Sequence, residues 1–155
     1  MPGSTVDIDV LINSAVFAPE ERARQDSRRQ IREAAQAQGI TLASIQGLYE
    51  AAGKGLCRNM TVPAINIRGL TYQVARAVFR AALRREVGAF IFEIARSEMG
   101  YTKQKPAEYA ACVLAAAVKE GFKGPVFIQG DHFQVNAAKY ASEREKELKA
   151  IEELI

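Results

Sequence analysis

The stretch GPVFIQGDHFQ, from Gly124 to Gln134, closes a short apolar run on a carboxylate and an imidazole, Asp131 and His132. His132 is the only histidine in the 155-residue chain. Such a histidine has three roles open to it. It can ligate a metal through one ring nitrogen while the other is held by an acceptor, it can act as a general base, or it can be structural and bond a backbone carbonyl. Asp131 can hold the same metal or move a proton beside it. Two earlier apolar runs also end on polar groups: Asn66 in VPAINI, and Glu93 in AFIFEI, with Glu98 a few residues further on. A lone histidine does not make a zinc site, which needs three protein donors and an open position, so Glu93 and Glu98 are the remaining candidate ligands.

These residues need elements that bring them to one place. Three times a short apolar run leads through a polar or glycine-containing turn into a segment of helical period. The runs are Val62–Ile67, Ala89–Ile94 and Pro125–Gln129. The first leads into a helix from Thr71, read as its N-cap, with Val74, Ala75, Val78, Phe79, Ala82 and Leu83 on the buried face. The second passes through ARSEMGYTKQK, read as a loop, to a helix opened by Pro106 and closed by Gly121. The third leads to a Glu- and Lys-rich helix running to the last residue. Alternating strands and helices with continuous apolar strands predict a parallel sheet covered by helices, and ligands of such sheets bind at the carboxyl ends of the strands. Asn66, Glu93, Asp131 and His132 all fall there.

Ahead of this pattern lie a lead-in over residues 1–18, in which DIDVLI reads as a short strand or a helix start, and two predicted helices. One runs from Pro19 to Gly39, the other from Thr41 to Gly53 along the stripe Leu42, Ile45, Leu48 and Tyr49. Residues 1–58 are therefore read as an N-terminal helical extension and 59–155 as strand–helix units.

Composition limits the function. Apolar residues make up 48% of the chain and charged residues 25%, with a net charge of +3. Arg22, Arg24, Arg28, Arg29 and Arg32 are interleaved with acids, which describes a solvated helix face and not a nucleic-acid surface. No run approaches the roughly 18 apolar residues of a membrane span, and the N-terminus lacks the basic start and apolar run of a signal peptide. Cys57 and Cys112 have no CxxC spacing, and a reducing cytoplasm is the expected compartment. Gly53-Lys54-Gly55 lacks the spacing of a Walker loop, and Ser97 has no triad partners.

The strings VPAINIRG, AFIFEIARSEMGYT and GPVFIQGDHFQ resemble the first strand segments of the class II, zinc-dependent fructose-bisphosphate aldolases and the related tagatose-bisphosphate enzymes and accessory subunits, over about Met60 to Tyr140. The resemblance implies an α/β fold, the first three βα units of a (β/α)8 TIM barrel. It implies a lyase of carbohydrate metabolism and glycolysis that cleaves a ketose 1,6-bisphosphate to dihydroxyacetone phosphate and an aldehyde phosphate. By this likeness Asp131 is the catalytic proton-moving acid, His132 a zinc ligand, and Asn66 a substrate contact. The family's substrate-binding serine falls at Ala95, with Ser97 two positions later, and the family more usually carries a larger residue than Gly130 before the Asp-His pair. Eight strands and about 250 residues make such a barrel. Three strands leave the metal site incomplete, the chain inactive by itself and an apolar sheet edge unpaired, to be covered by the N-terminal helices, a second copy or a partner chain. The ending KAIEELI, without a cap, is read as a cut.

Overall fold

The computed structural model describes residues 7–154; the first six residues of the lead-in and Ile155, the last residue of the final helical pattern, lie outside it. The chain runs α1 (Ile8–Phe17), α2 (Glu21–Ala37), β1 (Ile40–Ala43), α3 (Gln46–Gly53), β2 (Ala64–Asn66), α4 (Thr71–Arg85), β3 (Ile91–Ala95), α5 (Arg96–Thr102), α6 (Pro106–Lys119), β4 (Gly124–Asp131), α7 (Ala137–Ser142) and α8 (Arg144–Glu152). The fold is α/β, with one parallel four-stranded sheet in the order β1-β4-β3-β2.

The three predicted strands are present, at slightly different bounds, and a fourth joins them. Residues 40–43, of which those from Thr41 were expected to lead a helix, form β1 against β4, with Ile40 opposite Gly124 and Ala43 opposite Phe127. The stripe Leu42, Ile45, Leu48 fits a helix, but Ile40 and Thr41 are β-branched and favour the extended chain. DIDVLI resolves as helix, its N-cap Asp7 accepting from the Asp9 amide at 2.9 Å. ARSEMGYTKQK, expected as a loop, contains α5. Thr71 is the first residue of α4 and not its cap, because its hydroxyl donates to Gln104 Oε1 at 2.6 Å.

Helices α1, α2, α4 and α6 pack together over one face of the sheet. α6 lies at the centre, against β1 and β3 below and among α1, α2 and α4. It is therefore buried almost all round, from Ala111 through Ala117, and its alanines let the neighbouring helices approach closely. Cys112 is buried there, as a small core residue would be. Phe79, Phe90, Phe92 and Phe122 stack edge-on and tilted at centroid distances of 4.9–6.0 Å, joining α4 to the sheet. Val74 and Leu83, assigned to the buried face of α4, lie at its exposed margins, while Ala75, Phe79 and Ala82 point inward.

The other face of the sheet is covered only in part, by α3, whose Tyr49 reaches Gln129, and Ile91 is buried there. Register partners on parallel strands point to the same side. This face therefore presents Ala64, Ile91, Phe127 and Ala43 in one row, Asn66, Glu93 and Gln129 in the next, and Ala95 with Asp131 beyond. An apolar row thus gives way to a polar one toward the carboxyl ends of the strands.

Candidate functional site

The polar row is hydrogen-bonded across the strands. Gln129 Nε2 donates to Glu93 Oε1 at 2.5 Å, and Tyr49 of α3 donates to Gln129 Oε1 at 3.4 Å. Asn66 Nδ2 donates to Asp131 Oδ2 at 3.1 Å and to Glu98 Oε2 at 3.4 Å. The sequence reading placed Asn66, Glu93, Asp131 and His132 at one end of the sheet. The first three meet there on its open face.

Glu98 is the buried member, 4% exposed. It is the third residue of α5, whose N-cap, Ala95, has no side-chain acceptor to offer. The Glu98 carboxylate reaches back instead, and the Ala95 amide donates to Oε2 at 3.1 Å. Arg68 Nε donates to Oε1 at 2.6 Å. Burial pushes the Glu98 carboxyl upward, but the bonds from Arg68, the Ala95 amide and Asn66 outweigh it and hold the group below its ordinary value. Sequence reasoning offered Glu98 only as a metal ligand. Its oxygens are already engaged by three donors, Arg68, the Ala95 amide and Asn66, which leaves it a structural anion. The signal available was its place three residues into a helix whose cap cannot cap.

His132 follows immediately after β4, with a left-handed φ of +50°. Its side chain is 79% exposed, and Nδ1 lies 3.6 Å from Asp131 Oδ1, too far for a hydrogen bond. The ring of Phe133 lies over Gly130: a Cβ there would come within 2.9 Å of it. The small residue before the Asp-His pair is thus matched to the aromatic after it. The loop is tied at its far side, where Arg96 Nη1 donates to the Gln134 carbonyl at 3.0 Å and to Glu147 Oε1 at 2.5 Å. The Asn136 amide donates to the same Glu147 oxygen at 2.7 Å. Ser97, expected to touch substrate, is exposed on α5 and makes no side-chain hydrogen bond to these residues.

A cleft of about 430 Å3 opens on this face between the sheet and α3, walled by Ile91, Phe127, Tyr49 and Gln129. Its size suits a small molecule. A second cavity of about 430 Å3 lies among α1, α4 and α6. Its acids are already engaged, Asp9 by Tyr72 and Lys119, and Glu108 by Arg28 and Gln104. It therefore offers no free charge to a ligand, and the open face is the better candidate.

Zinc, implied by the family likeness, does not fit the donors present. Among the described residues no three His, Cys, Asp or Glu side chains converge to hold a metal ion. Asp131 and His132 supply two donors, and Glu98 is taken. No protein-family model, curated protein or solved structure matches the chain. Among the described residues no helix is long and apolar enough to cross a membrane.

Proposed function

We propose that the chain is a class II aldolase-like protein that binds a sugar bisphosphate or triose phosphate on the open face of its sheet. The observation that carries this reading is the 3.1 Å bond from Asn66 to Asp131, which joins the ends of two strands separated by β3 and aims a carboxylate at the exposed face. The residues that the likeness makes substrate contact and proton carrier are thereby neighbours. Asp131, Glu93 and Gln129 offer oxygen acceptors to hydroxyl groups. Arg68 is 67% exposed at the side chain, and only its Nε is spent on Glu98, so the outer guanidinium nitrogens are available to a phosphate.

The barrel reading rests on topology. β2, β3 and β4 neighbour one another in chain order, as the first units of a (β/α)8 barrel would, while β1 holds the place beside β4 where the next barrel strand would pair. In retro-aldol chemistry Asp131 would take the proton of the substrate's C4 hydroxyl as the carbon–carbon bond breaks. Among the described residues no third donor joins Asp131 and His132 to form a metal centre that would stabilise the enediolate. The proposed behaviour is therefore binding without turnover by this polypeptide alone, and a second copy or partner chain over the open face. The incomplete donor set equally favours the second reading, a non-catalytic accessory subunit that keeps the sugar-phosphate surface.

Calorimetric titration with dihydroxyacetone phosphate tests the first claim. Binding is expected, weakened about tenfold or more by Asp131→Ala through loss of a charged hydrogen-bond acceptor. No binding to the unmodified protein sinks the reading. A coupled aldolase assay with stoichiometric zinc tests the second claim, and turnover would overturn it. Sedimentation of the chain alone and with a full-length class II aldolase separates self-association from an accessory role.

A further inference from the structure

The Asn66 amide faces two carboxylates at once. A carboxylate only accepts hydrogen bonds, so both must see the NH2 end of the amide, and the carbonyl Oδ1 must turn the opposite way. Among the described residues Oδ1 accepts no hydrogen bond. The site therefore presents an acceptor at this point, suited to a ligand hydroxyl and unsuited to a ketone or phosphate oxygen.

Asp131 alone is a poor guarantor of that orientation, because its side chain is partly exposed, at 26%. Glu98 is buried, and Arg68 and the Ala95 amide both donate to it, so its carboxylate is held in place. From this geometry we infer that Glu98 is the positioning residue of the site: it locks the Asn66 amide so that Oδ1 faces the ligand. Glu98 acts through Asn66 and does not itself touch ligand.

This inference rests on the proposed ligand site, but its test does not require turnover or ligand. The side-chain NH2 of Asn66 is followed by nuclear magnetic resonance in the whole chain, reading hydrogen exchange of its two protons. In Asp131→Ala the exposed partner is gone, and the lock is expected to persist, with exchange slowed about tenfold relative to a free asparagine side chain. Adding Glu98→Met is expected to abolish that slowing. Loss of protection already in Asp131→Ala overturns the inference, and that result is readable even if the double variant does not fold. Protection that survives in a folded double variant overturns it equally. A failed dihydroxyacetone phosphate titration, by contrast, would remove the functional reading and leave the amide measurement standing.

Discussion

His132 holds a left-handed backbone on a residue with a β-carbon, at a cost of about 1 kcal/mol that glycine would not bear. It gains no hydrogen bond from Asp131 in return. His132→Gly is therefore expected to raise stability by about 1 kcal/mol in urea melts, whatever it does to ligand binding. Gly130 makes the complementary case. Gly130→Val places carbon against the Phe133 ring and should displace the loop, costing about 1–3 kcal/mol, and Phe133→Ala in the same chain should recover part of that loss. Asp131, His132 and Asn66 were legible in the sequence because each ends an apolar run. The back-bond of Glu98 to the Ala95 amide was not, because its place three residues into a helix is a signal only once α5 itself is seen.

Among the elements, α8 is fastened to the loop after β4 by a single acid. Glu147 accepts from Arg96 and from the Asn136 amide, which holds its carboxyl down to about 2 against an ordinary 4.5. A carboxyl depressed in the folded state stabilises it fully above the unfolded value, and that contribution is lost as pH falls from about 4.5 through 2. Hydrogen exchange is expected to show α7, α8 and the His132 loop opening across this acid range ahead of α6. Glu147→Gln should show the same opening already at neutral pH. α4 and α6 were readable from periodicity, and α6 was bounded almost to the residue by Pro106 and Gly121. α5 was not, since seven residues with an internal glycine give no helical stripe to see. β1 was missed because four residues carry too little alternation to outweigh the apolar spacing that continues into α3.

At the scale of the whole molecule the structure depends on the phenylalanine cluster between α4 and the sheet. Phe79 is wholly buried and touches the rings of Phe90, Phe92 and Phe122. Phe79→Ala should cost about 3–5 kcal/mol, measured as a lowered urea midpoint with unchanged slope. The layered α/β design was evident from the alternating pattern. The sparse cover of the second face was not, because nothing in a strand's sequence tells whether a helix, another chain or water lies over it.

The position of β1 beside β4 has a consequence for the order of assembly. β2, β3 and β4 can pair one after another as each crossover helix closes a modest loop. β1, the earliest strand in the chain, can dock only when β4 exists, some 80 residues later, so its ordering entropy falls due at the end. Pulse-labelled refolding should therefore protect the β3 amides first and leave those of Ile40 to Ala43 among the last. An edge strand that joins late is also the one most readily exchanged, so β1 is the natural point at which this sheet would open to admit another.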